Sequence, residues 1–267
     1  MLLTKDTFDK LYSKYFATNR LIALKITNRC PVECAHCREC ATADSEAVMS
    51  QETIDIIIKQ IVDGSDPTDW VMCLQGGESI LYPELCKHTV AECKKYGILS
   101  NLYSSGWWWE QLPEYKKLIV DIDPDLLTIS VNDWTVEKLG GTEYADAIGD
   151  AFAGEDTRAG LIYSECYLDR PKWARRLKNK TCTFPYQIAP VGRAKDLIGK
   201  YDLERWIPQN VCALSGFEIE TDGRIFSNCC AASAGCYFGT VFDSDVSKLI
   251  ETKNHSKCKG YGGNFFN

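Results

Sequence analysis

Cys30-Pro31-Val32-Glu33-Cys34-Ala35-His36-Cys37 follows directly on the apolar run Leu21-Ile22-Ala23-Leu24-Lys25-Ile26, with Asn28-Arg29 between. The spacing is C-x3-C-x2-C. Three thiolates so close in sequence converge only if the loop wraps around something, and clustered soft sulfur donors select zinc, copper(I) or an iron–sulfur cluster. A tetrahedral zinc site wants a fourth ligand, which His36 or Cys40 could supply, and a disulfide is a further reading. Three cysteines hold three irons of a cubane and leave the fourth open to a small molecule.

Composition sets the bounds. A chain of 267 residues, 45% hydrophobic and 11% aromatic, buries a substantial core and suits one domain with at most a small appendage. Thirty Lys plus Arg against thirty-seven Asp plus Glu give a net charge of −7 without a basic block, which disfavours nucleic acid and anionic membranes as partners. Apolar runs such as Ile56-Ile57-Ile58 are too short to span a bilayer, and Met1-Leu2-Leu3-Thr4-Lys5-Asp6 lacks the features of a secretion signal, so a cytoplasmic location is expected. Disulfides rarely persist in that compartment, which makes metal ligation the economical use of fourteen cysteines. They fall into an N-terminal group, a scattered Cys73, Cys86 and Cys93, and a C-terminal set from Cys166 to Cys258, enough for two metal centres.

Read in order, residues 5–19 suggest a helix and 21–27 a buried strand. Ser50 caps a helix with Ile54, Ile57, Ile58 and Ile61 on one face, and Gly64 ends it. Strands are expected at 70–75, 99–105, 126–132, 160–168 and 182–191. Helices are expected between them, at 84–96, within 107–120, over 135–152 with a break at Gly140-Gly141, and at 171–180. Six strands alternating with helices argue for parallel βαβ units. A doubly wound sheet and a barrel both satisfy that pattern.

Ligands of parallel α/β folds sit at the carboxyl ends of the strands. Gly76-Gly77-Glu78-Ser79 closes the second strand about forty residues after the cysteine loop. Two glycines let backbone approach a ligand closely, and a carboxylate answers an ammonium. Alone, such a tripeptide is a common turn; directly after a strand it has the context a motif needs. Trp107-Trp108-Trp109, after the third strand, could line a pocket or simply pack.

Together the cysteine loop and Gly-Gly-Glu resemble the radical S-adenosylmethionine (SAM) enzymes, whose fold is an open (βα)6 partial TIM-like barrel. The resemblance implies a 4Fe-4S cluster on Cys30, Cys34 and Cys37, with Gly76, Gly77 and Glu78 at the methionine amino group of SAM. The family usually has Pro where Ser79 stands. By the same analogy the hydroxyls and amides of Ser104-Ser105-Gly106, Ser130 and Asn132 would meet the carboxylate and ribose, although strand-end residues of these types also cap helices. His36 would lie at the adenine. Ala189-Pro190-Val191-Gly192-Arg193-Ala194 resembles a Pro-x-Gly-Arg-Ala stretch of members with a C-terminal extension; Val191 could pack on adenine, and Arg193 could pair with a carboxylate or begin a solvated helix.

The tail, Phe217-Glu218-Ile219-Glu220-Thr221-Asp222-Gly223-Arg224-Ile225-Phe226, is a hairpin with an Asp-Gly turn, followed by a helix before Cys258. With its cysteines it resembles a SPASM or shorter Twitch extension. That implies a second, auxiliary 4Fe-4S cluster on Cys212, Cys229 or Cys230, Cys236 and Cys258, with Cys182 in reserve; a structural zinc is the alternative. From Gly223 there are five residues to Cys229 and six to Cys230 where the family has four. The division is thus an N-terminal helix over 1–20, a partial barrel over 21–200 and an extension over 201–267.

The resemblance implies reductive cleavage of SAM to a 5'-deoxyadenosyl radical that abstracts a substrate hydrogen, with flavodoxin or ferredoxin as electron donor. Maturation of a ribosomal peptide by crosslink, thioether or epimerisation, or natural-product biosynthesis, is the expected setting. Oxidation or epimerisation of a sugar or aminocyclitol is the alternative, and a non-catalytic metal-binding scaffold the reading of another class. An epimerisation would need a thiol to return hydrogen, for which Cys166 is the candidate.

Overall fold

The computed structural model describes residues 20–152, 159–165, 182–187, 192–197, 216–227 and 237–251. Six strands, β1 (Leu21–Thr27), β2 (Val71–Gly76), β3 (Leu99–Ser104), β4 (Leu126–Ser130), β5 (Ala159–Glu165) and β6 (Cys182–Gln187), lie side by side in chain order, all parallel. Sequential order means that every crossover moves the same way across the sheet. That is the winding of a barrel; a doubly wound sheet reverses direction partway and places its ligand at the reversal.

Period-2 alternation sorts the strands. Ile22, Leu24 and Ile26 of β1, Met72 and Leu74 of β2, Leu102 of β3 and Leu127 and Ile129 of β4 enter the large core beneath the helices. Leu21, Ala23, Val71, Cys73, Leu99 and Leu126 form a smaller apolar layer on the opposite face. Above that layer the same face becomes polar: Lys25, Asn101 and Thr128 are buried there.

The helices follow their punctuation. Ser50 Oγ accepts from the Thr53 amide at 3.1 Å and starts α1 (Gln51–Gly64), which buries Ile54, Ile57, Ile58 and Ile61. Pro83 opens α2 (Pro83–Tyr96), and Gly97, at φ +77°, closes it. α3 runs Leu112–Ile122. The expected helix over 135–152 breaks at Gly140 and Gly141, both at positive φ, into α4 (Asp133–Leu139) and α5 (Thr142–Ala151).

The tail hairpin forms as expected from β7 (Phe217–Ile219) and β8 (Arg224–Ser227), turning at Gly223 with φ +83°. It does not stand apart from the barrel. β7 pairs in parallel with β1, and β9 (Tyr237–Thr240), which the sequence did not signal, adds to β8, so one nine-stranded sheet runs β6-β5-β4-β3-β2-β1-β7-β8-β9. The short α6 (Val246–Glu251) packs on α1, where Gln60 bonds the Val241 carbonyl and the Val246 amide. The expected helices at 5–19 and 171–180 lie outside the described residues. No helix among the described residues is long and apolar enough to cross a membrane.

Candidate active site

The cysteine loop begins at the carboxyl end of β1. Its neck is closed by the Cys30 amide on the Thr42 carbonyl (2.8 Å) and the Thr42 amide on the Asn28 carbonyl (3.1 Å). Within it the Cys37 amide bonds the Cys34 carbonyl, and Glu33 and Cys40 adopt positive φ to make the bends. Cys30, Val32 and Ala41 are buried, with Cys34 and Cys37 packed against them; Cys40 is exposed. Burial pushes the Cys30 thiol up to about 11, and burial with the Cys30 and Cys37 thiols pushes Cys34 up to about 12. Backbone amides of Val32 and Glu33 point at the Cys30 sulfur, and those of Glu39 and Ala41 at Cys37. Three thiols on one loop, one buried and two half-buried, with amide donors at Cys30 and Cys37, fit a cluster that would take them as thiolates.

The Gly-Gly-Glu turn is built onto the neck of that loop. The Gly77 amide bonds the Thr27 carbonyl at 2.6 Å and the Glu78 amide bonds the Arg29 carbonyl at 2.8 Å. A Cβ on Gly76 would collide with the Thr27 carbonyl, and one on Gly77 with that of Arg29, so both glycines are steric requirements of this contact. Glu78 is fully buried. Its Oε2 accepts from the Ser105 amide (2.9 Å) and Ser105 Oγ (2.6 Å), while Oε1 has no partner. Burial raises its pKa against the pull of those bonds. An orphaned carboxylate oxygen in a dry site is costly without a donor, and it fits an ammonium group. Ser79, at the position where Pro is usual, donates to the Gln75 carbonyl and so closes the end of β2.

The other expected contacts divide. Ser104 accepts from the Gly106 amide and Trp108 Nε1, builds the turn after β3 and helps pull the Glu78 pKa down; the bonds to Glu78 Oε2 come from Ser105, the next residue of the same stretch. Tyr144 of α5, which the sequence reading passed over, is fully buried and donates to the Ser105 carbonyl at 2.5 Å. Asn132 Oδ1 is engaged as the cap of α4, accepting from the Trp134 and Thr135 amides at 3.1 Å. Ser130 ends β4 half-buried, its carbonyl near Thr135 Oγ1. His36 stacks on Trp134 at 4.5 Å between centroids, and burial followed by the Arg193 charge lowers its pKa to about 4.

Arg193 does stand at a helix start, in the 3-10 turn Gly192–Leu197, but its guanidinium is neither solvated nor paired with a carboxylate. Its bonds go to backbone carbonyls: Nε to Cys34 and Nη2 to Ala41, each at 2.9 Å, with its amide on Cys37 at 3.0 Å. The Trp triplet packs: Trp108 is buried and stacks on Tyr115 at 5.3 Å. Val191, Cys166, Cys212, Cys229, Cys230, Cys236 and Cys258 lie outside the described residues, and Cys182 is described only as backbone in β6.

A charged array that no motif announced lies beside the loop. Lys25 Nζ is 2.6 Å from Glu39 Oε2, 2.8 Å from Glu220 Oε1 and 3.8 Å from Glu218 Oε1. Arg38 reaches Glu39 at 2.7 Å and Glu218 at 2.9 Å. Burial works against charge at Lys25, Glu39 and Glu218. At Glu39 the Arg38 and Lys25 cations outweigh it and hold the carboxyl at about 2; at Glu218 burial wins and lifts it to about 8. Three carboxylates thus face two cations, and burial favours the protonated form at Glu218.

No protein-family model matches the chain, and no curated protein matches it in sequence. Solved structures do. The chain superposes on native anSMEcpe with bound AdoMet and Cp18Cys peptide at a TM-score of 0.60 and 14% identity, covering 90% of this chain and 82% of that one. BtrN in complex with AdoMet and 2-DOIA gives 0.50 at 11% identity over 86% and 81%. The partial-barrel fold expected from the radical SAM resemblance is the fold this chain has.

Proposed function

We propose that the chain is a radical SAM enzyme. The observation that carries this reading is the docking of the Gly-Gly-Glu turn on the neck of the three-cysteine loop, with Glu78 Oε1 left unpartnered beside it. A scaffold that merely held zinc would need the thiols and not the turn. Cys30, Cys34 and Cys37 would hold a four-iron cluster, which when bound would supply the electron for reductive cleavage of SAM and so the radical chemistry by which a substrate loses a hydrogen atom. The residues of this chain orient and exclude. Glu78, held rigid by Ser105, offers one oxygen to the methionine ammonium; Ser105 is itself fixed by Tyr144. His36, kept neutral by burial and backed by Trp134, presents an uncharged flat surface at the loop.

A peptide substrate is the preferred setting of this reading and a sugar or aminocyclitol the alternative; anSMEcpe with its peptide and BtrN with 2-DOIA share the fold. An auxiliary 4Fe-4S cluster on the C-terminal cysteines, a flavodoxin or ferredoxin donor, and a hydrogen-returning role for Cys166 in the event of epimerisation belong to the same reading.

The test is anaerobic incubation of the reconstituted chain with SAM and dithionite, quantifying 5'-deoxyadenosine in the wild type and in Cys34→Ala. Product that disappears in the variant supports radical cleavage at this loop. Zinc without sulfide, and no product from the wild type, would turn the reading to a metal-binding scaffold. About eight irons per chain fits two four-iron clusters and about four fits one.

A further inference from the structure

Two adjacent residues reach back to the cysteine loop from the far side of the barrel. Gly192, at φ +57°, lies so close to the Cys37 and Arg38 carbonyls that a Cβ there would collide with both. Arg193 then spans the loop, from the Cys34 carbonyl to the Ala41 carbonyl, with its own amide on Cys37. Three carbonyls of one loop are thereby fixed by one residue 152 to 159 positions away in sequence.

We propose that Arg193 is a positioning residue for the cluster of this loop, fixing the loop's curvature through those carbonyls and, by its charge, raising the reduction potential of the cluster held there. The inference rests on the cluster reading above. Guanidinium cannot lose its proton in a protein, and here its bonds go to neutral oxygens. Its charge sits inside the loop: the guanidinium lies 2.9 Å from the carbonyl of the ligand residue Cys34 and from that of Ala41, while the Arg193 amide lies 3.0 Å from the carbonyl of Cys37, a second ligand residue. One-electron reduction makes a thiolate-bound cluster more negative, so a fixed cation beside two of its three ligands favours the reduced state.

The experiment compares the wild-type chain, Arg193→Lys and Arg193→Gln after anaerobic reconstitution. Iron and sulfide per chain are measured first. The midpoint potential is then read by a dithionite-poised EPR titration of the signal that shifts when SAM is added, which separates the loop cluster from any other. Arg193→Gln is expected to load iron and to titrate at a more negative potential than the wild type, with Arg193→Lys between them. Equal potentials in all three chains would overturn the inference. Should Arg193→Gln fail to load, Arg193→Lys decides: loading with a potential near that of the wild type supports the inference, and failure to load, or a potential shifted as far as charge removal predicts, overturns it. A wild type that takes up no iron and sulfide overturns the parent reading and this one together, whereas a fully loaded, SAM-responsive wild type with charge-insensitive variants overturns this one alone.

Discussion

Lys25 Nζ on β1 lies 2.6 Å from Glu39 Oε2, just beyond the last cysteine of the loop. The lysine is 5% exposed and also holds Glu220, so a single buried cation ties the barrel's first strand to both the cysteine loop and the segment after β7. Removing it leaves three neighbouring carboxylates facing only Arg38. Lys25→Met is therefore expected to destabilise the chain by about 3–5 kcal/mol, the usual cost of stripping one partner from a buried ion pair. Urea unfolding followed by circular dichroism measures this. Lys25→Met combined with Glu39→Gln should recover part of the loss; a double variant as unstable as the sum of the singles would show that the pair is not coupled.

Burial that favours the protonated form of Glu218 makes the array sensitive to alkali. Its folded pKa is raised by burial, above that of an unfolded glutamate. The folded state thus binds the extra proton between the ordinary carboxylate range and about pH 8, and the stability it contributes is complete below that window and lost as pH rises through it. Glu218→Gln mimics the protonated form. Its unfolding free energy is expected to vary less with pH than that of the wild type between pH 5 and 8.5, and parallel profiles for the two chains would place the proton elsewhere.

Local patterns carried much of this molecule. Alternation in Leu21–Thr27, the isoleucine stripe of α1, the glycines after β2 and the Asp-Gly turn each act over a few residues, and each is where the sequence placed it. What stayed hidden depends on distance. Nothing in the neighbourhood of Lys25 signals that Glu218 and Glu220 will meet it, because that encounter is decided by the parallel pairing of β7 with β1. In sequence Arg193 suits a carboxylate partner or a solvated helix start equally, whereas its acceptors are carbonyls, which every residue has and no sequence marks. Ser104 and Ser105 differ only in which side of the turn they face, and alternation ends with the strand.

Gly77→Ala tests the joint between turn and loop. The added methyl meets the Arg29 carbonyl, backbone that cannot rotate away, so the Glu78–Arg29 hydrogen bond at 2.8 Å must open. The expected result is a folded chain with a cost of about 1–3 kcal/mol, typical of overpacking, and a larger proportional loss in SAM binding than in stability. Equilibrium dialysis with labelled SAM beside thermal unfolding checks both. Unaltered SAM affinity would mean that the turn does not position the ligand.

Glu78→Gln isolates the charge. The amide oxygen can still accept from the Ser105 amide and hydroxyl, so the turn keeps its scaffold, and the group now at the Oε1 position is an uncharged amide NH2, a donor that cannot accept from an ammonium. A hydrogen bond to a charged group contributes about 1.5–3 kcal/mol, which corresponds to a loss of SAM affinity of about 10- to 100-fold. Stability should move the other way, because a fully buried carboxylate with an unpartnered oxygen is replaced by a neutral group of the same shape. A more stable chain that binds SAM weakly is thus the signature of a residue kept for a ligand. A chain that loses stability and retains SAM affinity would make Glu78 a structural acceptor for Ser105 and place the ammonium elsewhere.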